Sequence, residues 1–229
     1  MEAGHPEIFY AEVLNDETAS SNNLLDVSKL PALPYQEGDI PNGNFIIIDP
    51  ATGKLQSDDV AIGYFEVYEA KPVLIKVQNG KFSPGDTIRR ALTLALENNC
   101  RLIVAESVAY QSTLLYWFGF ICQQLGITGL EFVEIYPGGR SKNSRILEMV
   151  KVWKAGDLFV AQECHATVVT ELLQFNPLKT DNIDNILDLL TYAPRVLVEF
   201  GEFVVTSNAL VQQELDAIPV YDEIANSPF

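Results

Sequence analysis

The sequence predicts an α/β protein built on a mixed sheet, three antiparallel strands and then two parallel ones, with helices on both faces. Three observations predict it. The apolar runs NFIIID, VAIGYFEVYE and PVLIKVQ follow one another across short, turn-rich joints, the pattern of an antiparallel meander. From Ser83 onward, helical and strand-like segments alternate, which is how parallel strands are connected. With 229 residues, 48 % of them apolar, the chain can bury a core of that size.

The elements follow in chain order. Residues 1–43 read as an arm or linker: HPEIFYAEVLND suits a short helix, but ETASSNN and LPALPYQEGDIPNGN are turn-rich, and the prolines break regular structure. Residues 44–195 read as one domain. NFIIID, VAIGYFEVYE and PVLIKVQ are its first three strands, and SPGDTIRRALTLALENN is a helix with Ser83 as N-cap and Pro84 at its first position. RLIVAE is a fourth strand, SVAYQSTLLYWFGFICQQLG an apolar helix closed by Gly126, and LEFVEIY a fifth strand. SKNSRILEMVKVWKAG gives a helix from about residue 142 to 154, and DLFVA a short extended piece. A helix through TVVTELLQF follows, and NIDNILDLLTYA is the last, stopped by Pro194. Residues 196–229 form a C-terminal extension to which the sequence assigns neither fold nor role.

Composition excludes several classes. No apolar run reaches the roughly 18–20 residues of a membrane span, so no membrane association is expected, and MEAGHPEIFY has no signal-peptide pattern, which favours an intracellular setting. Cys100, Cys122 and Cys164 are odd in number and show no CxxC spacing, so they read as reduced core thiols. Tyr116, Trp117 and Phe118 form an apolar cluster that reads as core. A net charge of −16, from 15 basic and 31 acidic residues, argues against simple electrostatic binding of nucleic acid. An acidic protein can still act on a polyanion where metal ions carry the local positive charge.

Acidic residues at particular places suggest such a metal. Asp49 closes the first strand, Glu106 closes the fourth, and Asp184 and Asp188 lie on the last helix. In this strand order the first and fourth strands are neighbours, so Asp49 and Glu106 meet. Clustered carboxylates repel one another and raise their own pKa values unless a cation neutralises them. With only His5 and His165 in the chain, the fitting ion is a hard one held by oxygens, Mg²⁺ or Mn²⁺. Two such ions about 4 Å apart can activate water and stabilise the leaving oxygen of a phosphodiester. Taken singly, each acid also suits an ordinary role: Asp49-Pro50 as a turn opener, and Asp181, Asp184 and Asp188 as a solvated helix face. Asp58 and Asp59 suit either an auxiliary ligand or a solvated turn, and Arg140, Lys142 and Arg145 are the basic group best placed for phosphate contacts.

Four stretches resemble, in order, the nuclease half of the large terminase subunit of tailed bacteriophages, an RNase H-like family. They are FIIIDPATGKLQSDDVAI, IVAESVAYQS, SKNSRILEM with KAGDLFVA, and ELLQFNPLKTDNIDNILDLLTYA, spanning Phe45 to Ala193. HPEIFYAEVLND is similar to the end of the ATPase half that precedes such nucleases, and no GxxxxGK followed by Ser or Thr is present. The chain is therefore expected to be a nuclease fragment of a longer protein. The resemblance implies cleavage of concatemeric double-stranded phage DNA during genome packaging, with two Mg²⁺ or Mn²⁺ ions, in the host cytoplasm. It implies as partners the ATPase domain of the same protein, the portal protein and the small terminase subunit. Asp49 and Glu106 match the family's first two metal ligands. The third falls on Asp184 if the TYA end is the anchor, the favoured alignment because it keeps Asp188 in register, or on Asp181 if the FNP turn is. On either alignment an asparagine, Asn185 or Asn182, stands where the family has a second aspartate, and Asn185 can still offer a carbonyl oxygen as an auxiliary ligand. Two other readings stay open: a RuvC-like resolvase or transposase-type nuclease, and a weakly active module docking portal and motor.

Overall fold

The computed structural model describes residues 30–50, 59–107, 111–179 and 182–204. HPEIFYAEVLND and the residues after 204 lie outside them. Six strands, β1 (Gly43–Asp49), β2 (Val60–Tyr68), β3 (Lys71–Gly80), β4 (Leu102–Glu106), β5 (Glu131–Ile135) and β6 (Phe159–Val160), form one sheet in the order β5-β4-β1-β2-β3-β6. β1 to β3 are the antiparallel meander; β4 and β5 join parallel on the β1 side, and the short β6 pairs parallel with β3 at the far edge. The expected mixed sheet is present, and the DLFVA piece supplies a sixth strand.

Side-chain alternation divides β1 between two cores. Phe45 and Ile47 enter one cluster and Ile46 and Ile48 the other, all four fully buried, so a continuous apolar run marks a central strand covered on both faces. One face carries α1 (Pro84–Glu97) and α2 (Gln111–Leu125), which supply Ile88, Leu92, Leu114 and Ile121 to its cluster. The other carries α3 (Lys142–Ala155), α4 (Gln162–Gln174) and α5 (Asn185–Val204), with Val150, Val168, Leu189 and Leu190. Local chemistry sets the helix ends as expected: Ser83 caps α1 by accepting from the Asp86 N–H with Pro84 next to it, and Gly156 closes α3 in the left-handed conformation.

Two expectations are corrected. Pro194 does not stop the last helix, which runs to Val204 with a non-helical turn at Phe200. Proline removes one intrahelical hydrogen bond. Beyond it, Val196 and Val204 are buried, Leu197 and Phe200 pack against the core, and Arg195 donates to the Tyr136 carbonyl at 2.7 Å. Those contacts offset the lost bond, and the expected domain boundary at 195/196 falls inside a helix. The second correction concerns the aromatic cluster of α2. Tyr116 is 63 % exposed, and Trp117 and Phe118 are only partly buried, because α2 covers the sheet with its Leu114 and Ile121 side.

The end of α5 passes so close to β1 that a Cβ on Gly43 would overlap the Val204 carbonyl oxygen. Backbone cannot yield there as a flexible side chain would. Gly43→Ala is expected to destabilise the chain by about 1–3 kcal/mol, read as a lower urea midpoint. An unchanged midpoint would mean that α5 does not approach β1 this closely.

Candidate metal centre

Strand parity brings the first two acids together. Phe45 and Ile47 on β1, and Leu102 and Val104 on β4, point to the α3/α4/α5 face, so Asp49 and Glu106, two residues further along each strand, emerge on that same face. The parallel register pairs Ile48 with Ala105, which sets Asp49 beside Glu106 at the carboxyl edge of the sheet. α5 crosses above and delivers Asp188 from its first turn. Oxygens of Asp49, Glu106 and Asp188 all lie within 4.8 Å of one another, and the three side chains are buried.

Basic and phenolic groups from α3 and α5 hold this cluster. Ser141 caps α3 by accepting from the Ser144 N–H, so Lys142 and Arg145 fall on successive turns facing α5. Arg145 Nη2 donates to Asp188 Oδ1 at 2.6 Å and lies 3.9 Å from Glu106 Oε1, with its guanidinium 5.3 Å from the centre of the Tyr192 ring. Tyr192 in turn donates to Glu106 Oε1 at 2.5 Å. Burial, the Asp188 charge and a hydrogen bond with Glu106 push the Asp49 carboxyl well above its ordinary range, and Lys142 offsets only part of this. Without a bound cation, Asp49 therefore retains its proton to a higher pH than an ordinary aspartate.

The donor set fits a hard divalent cation: three oxygen donors, buried, convergent and crowded with negative charge. No protein-family model matches the sequence, and no curated protein matches it either. Solved structures do. The structure of the P22 large terminase nuclease domain superposes with a TM-score of 0.54 at 13 % identity, over 81 % of this chain and 95 % of that one. The Mn-soaked, inhibitor-bound terminase nuclease domain of human cytomegalovirus gives 0.53 at 13 % identity, over 83 % and 99 %. This is the terminase-nuclease fold. The large terminase of a thermophilic bacteriophage carries it within a longer chain, matched over 76 % of this chain and 44 % of that one with a TM-score of 0.52 at 9 % identity.

On the terminase-nuclease fold, the remaining residues singled out in the sequence fall in different places. Asp184 is buried directly before α5, but its carboxylate meets Lys142 Nζ at 2.8 Å and is not among the three converging acids. Asn185 is half-buried at the first position of α5. Asp59 sits half-buried at the start of β2, and Asp58 and Asp181 lie outside the described residues. Arg140 is exposed and pairs with Glu148. It lines a cleft of about 320 Å³ with Arg145, Glu148, Thr191 and Arg195.

Tyr192 and Glu171 take part in the site although sequence reasoning passed over them. Tyr192 was legible: Asp184, Asp188 and Tyr192 recur every four residues, the spacing of one helix face. Glu171 left a fainter signal, a lone acid beside Val168, Leu172 and Phe175 on the apolar side of α4. Its Oε2 accepts from the Ile186 and Leu187 N–H groups at 3.0 and 3.1 Å. It thereby caps α5 from another helix, where the side chain of Asp184 would ordinarily do so.

Burial raises the Glu171 carboxyl to about 7, the two N–H bonds offsetting part of the effect. A raised carboxyl stabilises the fold fully below its unfolded value near 4.5 and loses that contribution as pH climbs through about 7. Between pH 4.5 and 8 the wild-type chain is expected to lose up to about 3 kcal/mol through this group. Glu171→Gln, which keeps an acceptor oxygen, should lose correspondingly less when unfolding in urea is compared across that range. Parallel pH profiles for the two proteins would show that Glu171 does not titrate there.

Proposed function

We propose that the chain is a divalent-metal-dependent endonuclease that cuts concatemeric double-stranded DNA during viral genome packaging. The observation that carries this reading is the convergence of Asp49, Glu106 and Asp188 within 4.8 Å on a terminase-nuclease fold. Mg²⁺ or Mn²⁺ held by these carboxylates supplies Lewis-acid charge for phosphodiester hydrolysis. The chain's own groups keep the ligands in place: Tyr192 fixes Glu106, Arg145 fixes Asp188, and Glu171 holds the first turn of α5. The cleft beside the acids receives the DNA backbone, with Arg140 and Arg145 contacting phosphate. Arg140 is the exposed member of that pair, and Arg145 lies at the wall of the cleft with its guanidinium on Asp188. Lys142 is engaged by the acids themselves.

On the same reading the protein works in the host cytoplasm, next to an ATPase domain of the same protein, and meets the portal protein and the small terminase subunit. The large terminase of the thermophilic bacteriophage, of which the matched part is 44 %, supports the first of these partners. The test is a supercoiled plasmid incubated with the purified chain and Mn²⁺ or Mg²⁺. Open circles and then linear DNA are expected, with no conversion in chelator. Plasmid left intact by micromolar protein in both metals would sink the enzyme and favour the docking module.

A further inference from the structure

We propose that the centre takes one divalent cation, and that the Lys142 ammonium serves as a second, built-in cation between Asp184 and Asp188. The inference rests on the metal-centre reading and fixes its ion count. Lys142 Nζ lies 2.8 Å from Asp184 Oδ1 and 3.4 Å from Asp188 Oδ2. Asp188 is thus shared, with Oδ1 on Arg145, Oδ2 by Lys142, and lone pairs remaining for a metal. Asp184 stands outside the converging three, engaged by the lysine. Glu171 permits this, because it caps α5 and leaves the Asp184 carboxylate free to hold Lys142.

Charge gives the same count. Asp49, Glu106, Asp184 and Asp188 carry four negative charges when ionised, and Lys142 and Arg145 carry two positive ones. The remainder is the charge of a single divalent ion. Asn185, beside Asp184, adds an amide and no further charge.

The test is titration of the DNA-free chain with Mn²⁺, followed by calorimetry and by electron paramagnetic resonance. One Mn²⁺ per chain with the six-line spectrum of an isolated ion is expected for wild type. Lys142→Met should take up a second ion and show the coupled spectrum of two ions about 4 Å apart. Should that variant fail to fold, two single substitutions decide: Asp188→Asn should weaken the first ion at least tenfold more than Asp184→Asn. Two Mn²⁺ of similar affinity in wild type, or equal losses from the two substitutions, would overturn the built-in cation and leave the metal centre standing. No Mn²⁺ uptake by wild type would overturn both.

Discussion

Asp49→Asn is expected to abolish metal-dependent DNA nicking and, in chelator at pH 8, to make the chain more stable than wild type. Both effects have one cause. The carboxyl of Asp49 is buried, faces the Asp188 charge and shares a hydrogen bond with Glu106, so its pKa is raised well above the ordinary range. A raised carboxyl contributes stability below its unfolded pKa, and that contribution disappears as pH rises through the folded value. Above the ordinary carboxylate range the group is therefore a net cost to the fold, which the isosteric amide avoids. The gain should appear as a Tm above that of wild type and should shrink as pH falls toward the ordinary carboxylate range.

Metal reverses the order. A ligand that binds only the folded state stabilises it by about 2.7 kcal/mol at a hundredfold excess over Kd, so Mn²⁺ should raise the Tm of wild type and leave that of the variant nearly unchanged. Nicking should fall by more than the about 10–100-fold that loss of a supporting partner costs. Thermal unfolding in chelator and in Mn²⁺, beside a plasmid assay, checks all of this. A variant that nicks normally, or melts below wild type in chelator, would show that Asp49 is not a crowded metal ligand.

Arg145→Met is expected to have the largest effect on stability. The methionine keeps much of the stem's packing but removes the guanidinium that touches Asp188 at 2.6 Å, approaches Glu106 at 3.9 Å and lies over Tyr192. Stripping one partner from a buried ionic group costs about 3–5 kcal/mol, because the remaining charge is stranded. Urea unfolding in chelator should show a loss of that size. Divalent cation should restore part of it by supplying positive charge to the same carboxylates. A loss below about 1 kcal/mol, or one that Mn²⁺ leaves unchanged, would mean that Arg145 does not hold the acids together.

The fold was legible because its signals are local. Ser83-Pro84 starts α1 and Ser141 starts α3 through capping that needs only neighbouring residues. The all-apolar β1 declares a strand buried on both faces. Pro194 misled because its local cost is set against contacts from Tyr136, just beyond β5, and from the core that no nearby residue announces. Tyr116 misled for the complementary reason: an aromatic residue reads as core until the helix is docked and its outward side becomes apparent.

By itself, the sequence determined the alternation of side chains along β1 and β4 and the acids that end them, because strand parity follows from local pattern. The pairing of β4 with β1 then brings Asp49 and Glu106 side by side on one face. Only the tertiary structure decided which acid of the last helix joins them, since Asp184 and Asp188 are one helical turn apart and either could be turned toward the sheet. The contacts of Lys142, Arg145 and Glu171 with α5 separate them, turning Asp188 to the sheet-end acids and Asp184 to the lysine. Those contacts join residues 15 to 46 positions apart in the chain, a distance over which packing, and not local propensity, sets the geometry.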